Sequence, residues 1–229
     1  MKKNILITGC SSGFGLALTQ YYIEQGWKVF GISRTKPQYE NEHFEFIECD
    51  LSDIQNIKTN LTQSIQDIQN IDLVYLNAGM LGEIKSSLAI TTQELQEVYA
   101  LNVYANKELL DILATIKVKT IIGISSGAAV NGSKGWAAYS LSKAGLNMLI
   151  NLYSKEMTST KLLAVAPGVI ETPMTDIIRF NIDDKEFPSA KRLKEGEIQT
   201  ARQAAIRMNN FVQQSTKFES GSFVDVRDI

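Results

Sequence analysis

The amino-acid sequence predicts a doubly wound α/β domain, a seven-stranded, mostly parallel sheet flanked by helices on both faces. Three observations lead there. Apolar runs alternate with helical segments along the whole chain. The runs ILI, VFGI, LVYL, TIIGI and LLAVA are continuously apolar instead of alternating with polar residues, as expected of strands covered on both faces. A glycine-rich turn, "TGCSSGFG" at 8–15, follows directly on the first apolar run.

The elements are read in order. "KNILITG" is the first strand, and a helix from about Phe14 to Gln25 closes on Gly26. "WKVFGIS" and "FEFIECD" are the next strands, then a helix from about Asp53 to Ile68 and the strand "IDLVYLN". The stretch from Thr92 to Lys117 reads as one long helix before the strand "VKTIIGIS". A helix from about Ala137 to Met157 leads into "KLLAVAP". The segment 169–195, with mixed charge and two prolines, reads as irregular chain kept as a lid over a ligand. A last helix, about Gly196 to Gln214, precedes the strand "GSFVDVRD". With right-handed crossovers this pattern winds a parallel sheet in both directions. Without a linker or repeat, residues 1–229 read as one domain.

Composition excludes several function classes. A formal net charge of -2 and the lack of any basic run argue against a nucleic-acid partner. The two cysteines, Cys10 and Cys49, cannot form a disulfide framework, which suits a reducing, cytoplasmic setting. The apolar run in "MKKNILITGC" breaks at Thr8-Gly9, too early for a secretory signal, and no stretch approaches the roughly 18 apolar residues of a membrane span. The glycosylation triplets at 60–62 and 131–133 are then coincidental. One histidine, His43, reads as a solvated loop residue, and with two separated cysteines no metal site is expected. Met148, Met157 and Met174 read as core or lid packing, and "NIDDKE" as a solvated part of the lid.

The glycine turn carries chemistry. Gly9 permits the tight turn, Gly13 lets the backbone approach a ligand, and Gly15 lets the helix pack close to the strand. The helix N-terminus then meets a pyrophosphate with free N–H groups and the positive end of its dipole. Where an acidic side chain would hold the ribose hydroxyls of NAD, this chain has Ser33 and Arg34. A guanidinium can fork onto a 2′-phosphate that a carboxylate would repel, so NADP(H) is the expected cofactor. Cys10 reads as a small residue in this turn.

Tyr139 and Lys143 lie one helical turn apart in "WAAYSLSK". Eight tyrosines in 229 residues make roughly 0.6 such pairs with lysine an accident of composition, so context must decide. That context is a strand ending Ser125-Ser126 and a chain that opens on a dinucleotide turn. Taken together, "TGCSSGFG", "CDLSD", "LNAG" at 76–79, "YSLSK" and "PGVIETPM" resemble the short-chain dehydrogenase/reductase family over nearly the whole chain. Leu76 departs from the family's Asn-Asn-Ala-Gly.

The resemblance implies a Rossmann-type fold and an oxidoreductase that interconverts a small carbonyl compound and its alcohol. It makes Tyr139 the acid/base, Lys143 its helper on the nicotinamide ribose, and Ser126, thirteen residues before Tyr139, the substrate-orienting hydroxyl. Asn102 in "ALNVYAN" would hold a proton-relay water. The cofactor cradle by the same likeness is Gly9, Ser11, Ser12, Gly13, Phe14, Gly15, Ser33, Arg34, Asp50, Leu51, Asn77, Ala78 and Gly79, with Pro167, Gly168, Ile170 and Thr172 near the carboxamide. Asp50 could instead cap the following turn.

The chemistry also stands by itself. A free tyrosine ionises near pH 10, and a nearby ammonium favours its phenolate. Ser126 can add a hydrogen bond to a developing oxyanion. A catalytically silent NADP(H) sensor on the same fold is the alternative, disfavoured by the intact Ser, Tyr and Lys set. A sugar-nucleotide epimerase would require a different glycine turn and a longer C-terminal region. Trp136 near the reacting centre hints at an apolar or flat substrate, and the resemblance implies a homodimer or homotetramer.

Overall fold

The computed structural model describes residues 2–229. Seven strands form one sheet: β1 (Asn4–Thr8), β2 (Lys28–Ser33), β3 (Phe44–Glu48), β4 (Asn70–Leu76), β5 (Lys117–Ile124), β6 (Lys161–Ala166) and β7 (Phe223–Asp225). Their order is β3-β2-β1-β4-β5-β6-β7, and every neighbouring pair is parallel. The sheet is thus wholly parallel where the sequence allowed an antiparallel member. The chain starts in the middle, winds out to β3, then crosses back over β1 to β4 and winds the other way. That reversal leaves a crevice beyond the carboxyl ends of β1 and β4, where ligands of such sheets bind.

The continuous apolar runs follow from two cores, one on each face. Leu6, Val74, Leu76, Ile121, Leu162 and Ala164 point to one side, against α2 (Ile57–Gln66), α4 (Ala105–Leu113) and α5 (Ala137–Glu156). Ile5, Ile7, Leu73, Tyr75, Ile122, Leu163 and Val165 point to the other, against α1 (Gly13–Glu24) and α8 (Ala201–Gln213). Successive strand residues face opposite sides, so both parities must be apolar. Each such Leu or Ile contributes roughly 1.5–3 kcal/mol by leaving water. The buried hydroxyls of Tyr22 and Tyr75 satisfy each other at 3.0 Å.

Several helix boundaries depart from the sequence reading. The long helix expected from Thr92 to Lys117 is α3 (Thr92–Tyr99), a π-helical turn at Ala100–Tyr104, and α4. Lys117 already belongs to β5. The helix expected from Asp53 begins as a 3-10 turn, Ile54–Asn56, before α2, and the last helix starts at Ala201 rather than Gly196. Thr200 sets that start through a capping box with Gln203, as Thr91 does with Glu94 for α3.

The lid is not irregular. It holds α6 (Pro173–Asn181) and α7 (Pro188–Glu195), each opened by its proline at the first helical position, where a missing N–H costs nothing. Met148, expected inside, is 59% exposed and shares the outer face of α5 with Leu141 and Leu152.

Candidate active site

The glycine turn joins β1 to α1 at the reversal point of the sheet. Gly9 has φ +70°, and its N–H donates to the Ile32 carbonyl at 2.8 Å, which ties the turn to β2. A Cβ at Gly15 would lie 2.0 Å from the Gly9 carbonyl oxygen and 2.6 Å from Asn77 Nδ2, so no side chain fits there. Gly13 has φ +51° and faces Thr172. Helix α1 begins without a side-chain cap and without an acidic residue in its first turn. Its first N–H groups stay available to an anion in a cradle that any bulkier residue would fill.

The far side of the cradle is the end of β4. The Thr8 hydroxyl accepts hydrogen bonds from the N–H groups of Asn77 and Ala78, both at 2.9 Å. Asn77 Nδ2 donates back to the Thr8 carbonyl at 2.9 Å. Cys10 is buried beneath the turn, where a Cβ on Gly31 would meet its sulfur at 2.7 Å. Burial pushes its thiol pKa up, the reverse of what a reactive cysteine needs.

From this turn a cleft of about 900 Å³ runs along the carboxyl edge of the sheet. Every residue assigned to the cradle by sequence lines it, from Gly9 and Ser11 through Arg34, Asp50 and Leu51 to Pro167, Gly168, Ile170 and Thr172. Ser33 is buried there and donates to the Thr35 carbonyl at 2.8 Å, which leaves Arg34 exposed at the rim. Asp50 does cap the next turn: one carboxylate oxygen accepts from the N–H and hydroxyl of Ser52, at 2.9 and 2.7 Å. Those bonds, with a smaller pull from the Arg34 guanidinium, hold its pKa below the usual carboxylate range.

At the other end, Ser126, Tyr139 and Lys143 share one wall of the cleft. Ser126 ends the strand-to-turn connection after β5, and its hydroxyl accepts from Ala128 N–H at 3.1 Å. Ser125 is committed elsewhere, its hydroxyl donating to Asn147 Oδ1 at 2.6 Å. Tyr139 and Lys143 stand one turn apart on α5, with the ammonium 5.7 Å from the centre of the phenol ring. Lys143 is only 4% exposed and donates to the Ile124 carbonyl at 2.7 Å. Burial draws its pKa down from 10.5 to about 8.

Burial raises the Tyr139 pKa, and the neighbouring Ser126 hydroxyl opposes that only in part. The sequence reading lowers it through Lys143 together with the positive ring of an oxidised nicotinamide, a charge that acts only once cofactor is bound. A neutral phenol and a serine hydroxyl on one wall can both donate hydrogen bonds to a developing oxyanion.

Asn102 is neither solvent-facing nor in the cleft. It is buried in the π-helical turn, with Oδ1 accepting from Met80 N–H at 2.8 Å. Its Nδ2 donates to the Met80 carbonyl and to the Ser142 hydroxyl, both at 2.9 Å. A Cβ on Gly79 would lie 3.1 Å from Asn102 Oδ1 and 3.4 Å from Lys143 Nζ, so the two flank that glycine. Single π-turns inside helices concentrate at functional sites.

The sequence reading passed over Thr8, although it stands first in the glycine motif. Met80 and Leu81, in the 80–90 stretch, and Met174, Ile178 and Leu193, in the 169–195 segment expected to cover the ligand, line the cleft as well. Gln199 gave no signal; its Nε2 donates to the Pro167 carbonyl at 2.6 Å and pins the Pro-Gly loop. Among the described residues no helix is long and apolar enough to cross a membrane.

With sheet, turn and cleft in place, comparison with known proteins identifies the class. The model of the family described as short chain dehydrogenase matches residues 3–182. The chain belongs to the short-chain dehydrogenase/reductase family. It is 31% identical over 241 residues to a benzil reductase ((S)-benzoin forming) of Bacillus subtilis (strain 168), covering 97% of this chain and 98% of that protein. A short chain dehydrogenase family protein from Francisella tularensis shares the fold with a TM-score of 0.84 at 22% identity, over 98% of this chain and 97% of that one. A 4-hydroxyisoleucine dehydrogenase complexed with NADH superposes with a TM-score of 0.82 at 21% identity, over 98% and 96% of the two chains.

The burial of Lys143 has a consequence for stability. A lysine whose pKa falls from 10.5 to about 8 costs the fold on the order of 3 kcal/mol while charged in both states. Because the folded pKa is the lower, the cost is complete below pH 8 and fades as pH climbs toward 10.5. Lys143→Met is therefore expected to raise the thermal midpoint at pH 7, by roughly 2–4 °C for each kcal/mol recovered. The gain over wild type should shrink in melts at pH 10. A midpoint that falls at pH 7 would mean the charge is fully compensated.

Proposed function

We propose that the chain is an NADP(H)-dependent oxidoreductase that interconverts a small carbonyl compound and its alcohol. One observation carries this reading: the Ser126, Tyr139 and Lys143 side chains converge on the wall of a cleft whose other end is a side-chain-free glycine turn. The relative named for benzil reduction supports a carbonyl substrate. On this reading residues 1–229 act as one catalytic domain with 169–195 as its lid, working in the cytoplasm with two buried, unpaired cysteines.

The cradle fits a dinucleotide. Gly9, Ser11, Ser12, Gly13, Phe14 and Gly15 would hold the pyrophosphate at the start of α1, Asp50, Leu51, Asn77, Ala78 and Gly79 the adenosine half, and Pro167, Gly168, Ile170 and Thr172 the carboxamide. Arg34, with Ser33 beside it, would take the 2′-phosphate. When bound, the nicotinamide supplies hydride to the carbonyl carbon. Tyr139 gives its phenolic proton to the carbonyl oxygen, and Ser126 holds that oxygen by a hydrogen bond as charge builds on it. Lys143 steadies the resulting phenolate and the nicotinamide ribose. Asn102 acts as a positioning residue, clamping Met80 and so holding Gly79 against Lys143.

Tyr139→Phe tests the mechanism. Loss of a positioned general acid is worth roughly 10²–10⁴-fold, so turnover should fall by at least that range while NADPH binding, followed by fluorescence, stays near wild type. In the reductive direction both the phenol proton and the ammonium are required. With Lys143 at about 8, kcat/KM for reduction should be flat below pH 8 and decline above it. Residual activity close to wild type in Tyr139→Phe removes the assignment.

Arg34→Asp tests the cofactor. Losing a charge-assisted contact worth about 1.5–3 kcal/mol should cut the NADPH-over-NADH ratio of kcat/KM by roughly ten- to a hundredfold. An unchanged ratio refutes the phosphate clamp.

A homodimer or homotetramer belongs to the same proposal. Leu141, Met148 and Leu152 line the outer face of α5 at 50%, 59% and 57% exposure. A second copy would cover this stripe by two-fold symmetry. Leu152→Glu should then convert the assembly to monomers in light scattering, and a monomeric wild type would dismiss the idea.

A further inference from the structure

The loop that leads into the catalytic helix is fastened to the lid at four successive residues. Arg192 donates to the Ser133 hydroxyl at 3.2 Å. Lys134 lies 3.8 Å from Glu186 and 5.4 Å from the centre of the Phe187 ring. Gly135 has φ +90°, and a Cβ there would sit 2.5 Å from Phe187 Cδ1, so the ring presses on bare backbone. Trp136 donates its indole N–H to the Ser189 hydroxyl at 2.5 Å. The first two contacts are exposed and contribute little. The last two are buried.

Trp136 is also the residue on which α5 starts, three before Tyr139. Its ring meets the Tyr139 ring edge-on, centres 6.0 Å apart at 69°. Around it Leu81, Met174, Ile178 and Leu193 close an apolar chamber into which Ser126 and Tyr139 bring their hydroxyls. If α7 moved away, the indole N–H would exchange Ser189 for water, a net loss of about 0.5–1.5 kcal/mol besides the apolar contacts. One ring thus joins the lid, the chamber wall and the acid/base side chain.

We infer that Trp136 is the specificity-determining residue of this cleft: its indole, fixed by Ser189, is the wall against which a flat aryl substituent on the carbonyl carbon packs. Aryl carbonyls are therefore selected over small aliphatic ones. This rests on the carbonyl-reductase reading above. A methyl group in the same place would leave the indole face uncovered and forgo the aromatic contact.

The test compares benzaldehyde with acetaldehyde, NADPH as reductant, in wild type, Trp136→Phe, Trp136→Ala and Ser189→Ala. Wild type should favour benzaldehyde. Trp136→Ala should lower kcat/KM for benzaldehyde by roughly 10–200-fold, chiefly through KM, and for acetaldehyde by no more than about threefold. Trp136→Phe should keep most of the preference because it keeps a ring. Ser189→Ala should weaken the preference without changing NADPH affinity. Thermal melts and NADPH binding identify any variant that fails to fold, and Ser189→Ala and Trp136→Phe then decide alone. A preference unchanged in Trp136→Ala, or unchanged in Ser189→Ala when the alanine at 136 does not fold, overturns the inference. So does a wild type that favours acetaldehyde. A wild type that reduces neither aldehyde with NADPH or NADH, nor any other carbonyl in a panel, overturns the reductase reading and this inference with it.

Discussion

The hydroxyl of Thr8 holds the sheet together where its winding reverses. Strands β1 and β4 are neighbours in space but far apart in sequence, and the chain leaves their carboxyl ends in opposite directions. Without a clasp, those ends would splay and the crevice between them would have no fixed width. Thr8 accepts the Asn77 and Ala78 N–H groups, and Asn77 answers to the Thr8 carbonyl. Because Asn77 is thereby fixed, its amide also stands 2.6 Å from where a Cβ on Gly15 would be. The Gly9 carbonyl already forbids a side chain at 15, and the Asn77 amide, held by the Thr8 carbonyl, closes the same space from the side of β4. Gly79 in turn is the spacer between Asn102 and Lys143. The glycine-turn end and the Tyr139–Lys143 end of the cleft are therefore referenced to the same strand terminus.

A second constraint runs against stability. Lys143 carries its ammonium almost wholly inside the protein, with the Ile124 carbonyl as its hydrogen-bond acceptor and, among the described residues, no carboxylate within salt-bridge distance. Buried lysines of this kind are disfavoured in water-soluble folds unless something else requires the charge. Burial acts on Tyr139 in the same sense, favouring its neutral form, so the two side chains share one desolvated wall.

What could be read from the sequence tracks how local the physics is. The strands were legible because burial on both faces leaves no polar alternation, and Ile5, Leu6 and Ile7 show that pattern without help from distant residues. The cradle was legible because positive φ and close approach demand glycine at fixed spacing, as at Gly9, Gly13 and Gly15. The break in the expected 92–117 helix was not. It depends on Asn102 reaching Met80, a contact of 22 residues' separation that no helical periodicity encodes. Nor were α6 and α7, whose short amphipathic turns among mixed charges look like loop until the apolar chamber beneath them is in place. Met148 fits a helical apolar stripe, but the stripe faces outward, and sequence alone cannot tell which of two apolar helix faces meets the sheet.

The lid makes that last point functional. Ile178 and Ala190 of α6 and α7 are buried in a small cluster with Leu81 and Trp136, against which Met174, Ile182, Leu193, Ile84 and Tyr139 pack. Part of their cover thus comes from the catalytic side of the cleft. An element that borrows its stability in this way is the one expected to open first, because its local unfolding exposes few apolar groups compared with the main cores. Trp136, the residue at the start of α5, touches both sides of this junction: its indole N–H donates to Ser189 of α7 and its ring meets that of Tyr139 edge-on.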